Sequence, residues 1–490
     1  GAAAAQAAQD AGFHGLEGQC LCRLVYRALA GERPKEALKY GQRAYALRKG
    51  ATETAAFIAA LSENGQDLRA MQVANDCVAR ARQGSDLAAL LGALELLACE
   101  HSRRGAPEQA LHSLKDAVDV ARQLGARARE CGILQDIAKA QLQLRKPEKA
   151  ASALRDAIAA GQSGAERAAA SCALGEVQLE LGQLEAAMAS AEDARVQFHE
   201  EGDGAGESAA AAVLCKVHMK VGDIDQAMAD AGLAYELAFV AGHWDAAASV
   251  QKQIAELHLS QQRLQEAGQA ATQAVKLWDQ AGDPTRLVEG LCMAATVYSQ
   301  LGASQDAIDS AQQAAELSAS SFDPASQARA NLTLAQLHQR AYEKENRRQI
   351  SPSASPSLAA MREAAEAACE AATLAQDRRL RALTAHSLAQ ALMLSSRPPP
   401  ESALHMARKA SGLFRGCGDV AGEAQSVALT ATLLLPRGEI DDAVQLAERA
   451  ASLAAEAGDA EAERAARDAQ ALVTRAKTDK AAGKILSKPG

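Results

Sequence analysis

The chain has 490 residues, 48% of them apolar and only 3% aromatic, with 52 basic against 61 acidic side chains for a net charge of −9. A core built mainly from Ala, Leu and Val, with few β-branched or aromatic strand formers, excludes an ordinary sandwich, barrel or doubly wound sheet and predicts an all-α protein. The mild acidic excess excludes a general basic footprint, so neither nucleic acid nor insertion into a membrane is expected.

Residues 1–15 read as an Ala-rich flexible segment. Gly1-Ala-Ala-Ala-Ala-Gln6 has neither the basic residues nor the long apolar core of a secretory signal. The chain does not open on Met, so a targeting segment ahead of Gly1 stays open. Further along, the longest apolar stretch, Leu87 to Cys99, is broken by Glu95 and is too short to span a bilayer. Ten cysteines are too dilute for a disulfide framework and, Cys20-x-Cys22 aside, lack paired spacing, which predicts a reducing, cytoplasmic setting.

A fixed period organises the chain. An Ala followed by small or aliphatic residues about 4, 7 and 10 positions later recurs at Ala37, Ala70, Ala110, Ala150, Ala187, Ala227, Ala267, Ala307, Ala364, Ala403 and Ala443. The steps are 33, 40, 40, 37, 40, 40, 40, 57, 39 and 40. Twelve residues before the anchor stands another small residue: Ala98, Ala138, Gly175, Cys215, Ala255, Ala295, Ala335, Ala391 or Ala431. Seven after it come Cys77, Ala117, Ala157 and their equivalents, and ten after it Val120, Leu237, Leu277, Leu317, Leu374, Leu413 and Leu453 are expected to act as larger knobs. Spacings of 3 and 4 place these residues on one helical face, so each unit predicts two antiparallel helices touching through small side chains. Gly or Pro marks the turn between them, as at Gly105-Ala-Pro107, Gly182, Gly222-Asp223 and Gly302. Gly-Asp often links one unit to the next, at Gly202-Asp203, Gly282-Asp283, Gly418-Asp419 and Gly458-Asp459, where Gly ends a helix and Asp caps the following one.

A small residue, then a ring or His three later, then Ala nine after that, with small residues four and seven on, resembles the tetratricopeptide repeat (TPR). The forty-residue period and segments such as Gly418-Asp-Val-Ala-Gly-Glu-Ala424 are similar to the subtype in Leu-Gly-Asn-repeat polarity adaptors and rapsyn. The chain departs from those adaptors in that only Leu174-Gly175 keeps the last two residues of their Asn-Leu-Gly core. The resemblance implies an α-solenoid, a right-handed superhelix of about eleven helix-turn-helix TPR-like repeats, with first helices lining a concave groove. The repeats are expected over 16–341 and 358–473, the latter ending in a capping helix. Between them lies a charged and then Ser/Pro-rich insertion, 342–357, expected to extend a helix and pass into a loop. Its Ser351-Pro and Ser355-Pro steps suit proline-directed kinases, although a plain linker is the preferred reading. A basic tail, 474–490, closes the chain.

No catalytic, cofactor or metal site is expected. His101, His218, His258, Tyr298 and His338 share one register nine residues before the anchor, but neighbouring helix pairs lie about 10 Å apart, too far for a shared metal. These side chains are therefore read as packing between helices. Cys77 and Cys215 fall at small core positions, and Cys172 and Cys292 share another register, as buried small hydrophobes would. Gly202-Asp-Gly-Ala-Gly-Glu-Ser208 superficially suggests a phosphate loop, yet it follows a helix and has Glu207 where a phosphate-binding Lys is needed.

On the groove positions that the resemblance implies, about 18, 15, 11, 8 and 7 residues upstream of the anchor, stand the candidate partner-binding residues. The 11-upstream ladder reads Lys139, Glu176, Lys216 and Glu256, whose alternating signs suggest pairing between neighbours, and Lys220, Lys252, Arg329 and Arg340 lie beside it. None of Asn64, Asn75, Asn331 or Asn346 falls on that ladder, so the resemblance does not extend to a clamp for a chaperone's terminal carboxylate. The expected function is a non-enzymatic scaffold that holds a partner protein's peptide or helix, within a larger assembly. A regulatory sensor array detached from a signalling protein is the alternative.

Overall fold

A computed structural model describes residues 13–30, 33–47, 50–84, 86–320, 323–347, 355–375, 377–395 and 399–481. Among these residues every regular element is a helix. Two compact units divide the chain at Ala241 and Gly242.

The first unit holds six helix pairs: α1 (His14–Ala30) with α2 (Pro34–Leu47), α3 (Ala51–Glu63) with α4 (Asp67–Gln83), α5 (Leu87–Arg103) with α6 (Pro107–Leu124), α7 (Arg127–Gln143) with α8 (Pro147–Ala160), α9 (Gly164–Glu180) with α10 (Leu184–Glu201), and α11 (Gly204–Val221) with α12 (Ile224–Val240). The second holds five: α13 (Trp244–Ser260) with α14 (Leu264–Ala281), α15 (Pro284–Leu301) with α16 (Ser304–Ser320), α17 (Pro324–Arg347) with α18 (Pro356–Leu374), α19 (Arg378–Ser395) with α20 (Glu401–Cys417), and α21 (Val420–Leu434) with α22 (Ile440–Ala457). A last helix, α23 (Ala460–Ala481), packs on α21 and α22. The eleven pairs are the eleven units of the sequence period, each helix packing on its partner and on the next pair within its unit.

Small residues stand where the helices meet. Every anchor alanine is buried, and so are all the small residues 12 before it and 7 after it. The larger knob is met in part: Val120 and Leu277 are buried, Leu374 is 76% exposed, and rings at 11 after the anchor, Phe198, Trp278 and Phe414, are buried as well. At about 3.6 residues per turn, steps of 0, 4, 7 and 11 keep to one narrow stripe, whereas 10 lies about 80° off it. Each of these rings covers a glycine in the following first helix: a Cβ on Gly206, Gly290 or Gly422 would lie 2.3–2.5 Å from the ring of Phe198, Trp278 or Phe414.

Turn chemistry follows the register. Five positions before the anchor the backbone is left-handed, at Gly105, Gly182, Gly222, Gly302 and Gly438, and also at Arg145 (φ 54°) and Gln262 (φ 58°), where a side chain bears strain of about 1–2 kcal/mol. The Gly-Asp links behave as expected: Gly202, Gly282, Gly418 and Gly458 are left-handed, and the carboxylates of Asp203, Asp283, Asp419 and Asp459 accept from N–H groups of the next helix. Around the insertion, α17 runs to Arg347 and Ser355 caps α18; Ser351 lies outside the described residues. The final helix reaches Ala481, so Arg475 and Lys477 are helical.

Candidate partner-binding face

Equivalent positions on successive first helices form one polar face in each unit. In the first unit Lys216 Nζ on α11 donates to Glu176 Oε1 on α9 at 3.3 Å, which is the pairing the ladder suggests. Lys139 on α7 does not join it. Its ammonium goes instead to Asp136 at 3.0 Å, one turn back on the same helix, where little chain entropy is needed to reach a partner. Lys220 is solvent-exposed beyond this pair.

In the second unit Lys252 on α13 pairs with Glu289 on α15, and Arg286 adds a contact at 3.4 Å. Burial favours the neutral Glu289 carboxyl, but the hydrogen bond and charge of Lys252, helped by Arg286, outweigh it and hold its pKa below the usual carboxylate range. Glu256 and Arg329 are exposed. Arg340 donates to Ser299 Oγ at 2.8 Å, and with Lys344, which donates to Ser304 Oγ at 2.8 Å, it borders a cavity of about 190 Å³. The eight candidates thus fall into two sets, Lys139, Glu176, Lys216 and Lys220 on one unit and Lys252, Glu256, Arg329 and Arg340 on the other.

Two thiols lie under the charged pairs. Burial, reinforced by the Glu176 charge, pushes the Cys172 thiol up to about 12, Lys216 opposing. Burial pushes Cys292 up to about 11, against a hydrogen bond from Thr333. Both are protonated at neutral pH, so they are packing groups rather than nucleophiles.

The residues of the histidine register point between helices. His218 Nδ1 meets Asp230 Oδ2 on α12 at 2.7 Å, and the Tyr298 hydroxyl meets Thr272 Oγ1 on α14 at 2.8 Å. Among the described residues the Nδ1 atoms of His101, His258 and His338 are buried and meet no hydrogen-bond partner. Burial lowers the pKa of His101 and of His338. Among the described residues no three His, Cys, Asp or Glu side chains converge as a metal site, and no helix is long and apolar enough to cross a membrane. Gly202 to Ser208 is a helix junction: Asp203 caps α11, and Glu207 meets His199 Nδ1 at 3.2 Å.

One part of the face was not singled out by sequence. Near its end, α17, α19, α21 and α23 enclose a cavity of about 440 Å³ lined by amides and charges, among them Gln339, Gln390, Gln425, Glu461 and Arg464. His386 lies in its wall, its Nδ1 3.0 Å from Ser426 Oγ, and burial pushes its pKa down to about 4. Gln425 sits 18 residues before its anchor, one of the groove positions that the resemblance implies, so the signal was present in an uncharged residue type.

No family model and no curated protein matches the chain. Solved structures do. Yeast Tom70 aligns at 14% identity over 96% of this chain and 97% of its own, with a TM-score of 0.46. The Cut9 and Hcn1 hetero-tetramer of the APC/C aligns at 12% identity over 91% and 96%, TM-score 0.38. A STAND protein with a tetratricopeptide repeat sensor, PH0952 from Pyrococcus horikoshii, aligns at 14% identity over 78% of this chain and 54% of its own, TM-score 0.48. At these identities no residue role passes from one chain to another.

Proposed function

We propose that the chain is a non-enzymatic scaffold that binds a peptide or helix of a partner protein along the face of its first helices, within a larger assembly. The observation that supports this reading most is the form of that face: ion pairs between successive helices, Glu176 with Lys216 and Lys252 with Glu289, stand half-exposed over partly buried small residues such as Cys172 and Cys292. Half-exposed pairs of this kind are worth only about 0–1 kcal/mol. A partner's charges can therefore replace one member at little cost, while the small residues beneath leave room for an apolar side chain. Lys139, Lys220, Glu256, Arg329 and Arg340 extend the surface on either side. A reducing compartment suits the ten free thiols.

The test is affinity capture from cells with the wild-type chain and with Lys139→Glu, Lys216→Glu, Lys252→Glu, partners being identified by mass spectrometry. Loss of a partner held by the wild type is expected. Equal recovery by the folded triple variant removes these residues from the binding face.

A further inference from the structure

Grooves lie between consecutive second helices, each floored by the first helix between them. In two of them, between α4 and α6 and between α6 and α8, a basic residue twelve after the anchor on the first wall faces an acid six after the next anchor on the other, a pairing that most of the other grooves lack. Between α4 and α6, Arg82 Nη2 donates to Asp116 Oδ2 at 3.1 Å. Between α6 and α8, Arg122 donates to Glu130 from the floor at 2.6 Å, and Asp156 on α8 adds its field at the same guanidinium. In both grooves the repeat neutralises the wall arginine from within.

The groove between α20 and α22 differs from both. Its volume is about 610 Å³, and Arg415 and Arg449 face each other where those two grooves place Arg and Asp. Glu423, only 5% exposed, rises from α21 and accepts from both: Arg415 Nε at 3.0 Å and Nη2 at 2.8 Å, and Arg449 Nη2 at 2.8 Å, all on the same Oε1. One carboxylate offsets one guanidinium, so a second positive charge remains. At the other end Arg408 and Asp442 balance, which leaves the groove cationic in a chain whose net charge is −9. The shared carboxylate also fixes the two planar guanidiniums in place with further N–H donors to spare, so little side-chain entropy is lost when they take another acceptor. Gly412 on the α20 wall has open space where a side chain would stand, which lets an incoming chain approach.

We propose that this groove binds an Asp or Glu side chain of an acidic partner segment, whose carboxylate takes the place that Asp116 and Asp156 hold in the two grooves of the first unit. The groove lies apart from the first-helix face, so each can fail alone.

Fluorescence anisotropy on the full chain tests this, using fluorescein-labelled decapeptides of alternating Glu and Ser, of alternating Gln and Ser, and of alternating phosphoserine and Gln. The Glu peptide is expected to bind at least tenfold more tightly than the Gln peptide and no more weakly than the phosphoserine peptide. Arg449→Asp recreates the Arg122, Glu130 and Asp156 arrangement found elsewhere in the chain, and it should lower Glu-peptide affinity at least tenfold with an unchanged circular-dichroism spectrum. Arg155→Asp, on the exposed side of α8, makes the same change in net charge and should leave the affinity within twofold. If Arg449→Asp does not fold, Arg449→Gln is judged by the same tenfold criterion. No binding of the Glu peptide, equal loss in the two charge variants, or binding of the phosphoserine peptide alone overturns the assignment.

Discussion

The ring-over-glycine contact joining successive pairs gives a sharp stability prediction for Gly422→Ala. A Cβ at residue 422 would sit 2.5 Å from Cδ1 and Cε1 of Phe414, whose ring is 2% exposed and cannot swing into solvent without leaving the core. Overpacking of this kind costs about 1–3 kcal/mol. The helix-propensity gain of Ala over Gly, up to about 1 kcal/mol in a helix interior, offsets part of it, and less than that in the first turn after the Asp419 cap. The net expectation is a loss of about 1–2 kcal/mol. Gly232→Ala in α12, where nothing lies within 4 Å of the new methyl, should instead stabilise by about 0.5–1 kcal/mol. Because unfolding of a repeat array need not be all-or-none, amide hydrogen exchange read on α20 and α21 is the primary assay, with urea unfolding by circular dichroism beside it. Phe414→Ala alone costs about 3–5 kcal/mol. In that background Gly422→Ala should cost nothing further, a coupling of about 1–2 kcal/mol. A Gly422→Ala protein as stable as wild type, or an equal penalty in both backgrounds, refutes the steric account.

Protonation and thiol chemistry supply further tests. His386 has its pKa pushed down to about 4 from an unfolded value near 6.5, so the fold favours the neutral ring. This contribution is fully present above about pH 6.5 and is lost as pH falls toward 4, reaching about 2 kcal/mol by pH 5. His386→Asn, which keeps a side chain able to bond Ser426, should flatten the stability profile between pH 6.5 and 5; an unchanged slope refutes the assignment. Cys172 and Cys292, with thiols near 12 and 11, should react with iodoacetamide at pH 8 roughly two thousandfold and roughly two hundredfold more slowly than an unperturbed cysteine, by mass spectrometry of digests. Alkylation at the free-cysteine rate contradicts their burial beneath the charged pairs.

The all-α class and the eleven pairs were legible because each solenoid unit makes nearly the same contacts as the last, so small residues recur at fixed intervals. Glycine marked most inner turns, and Gly-Asp marked the links, through backbone demands that few other residues meet. What stayed hidden depends on angle and reach. The rings at Phe198, Trp278 and Phe414 were not singled out, because a one-residue step beyond the expected knob turns a side chain by about 100° while barely changing the apolar pattern. Lys139 was aligned with Glu176 by register, yet a long flexible ammonium settles on the nearest acid, Asp136. The carboxylate of Glu289 met the Lys252 ammonium from a groove position different from that of its partner, so a ladder read at one fixed offset could not show it.

Departures from the repeat therefore say more about function than the repeat does. A solenoid can satisfy its own backbone and core in every unit with one set of residues, and selection for folding alone keeps that set. Arg145 and Gln262 hold a left-handed conformation that glycine holds in six other units, and Arg449 stands where Asp116 and Asp156 face Arg82 and Arg122 in two other grooves. The first two carry the strain of a left-handed backbone. Arg449 is of another kind, because it places two guanidiniums on one buried carboxylate, and the proposed acidic partner segment supplies the second acid.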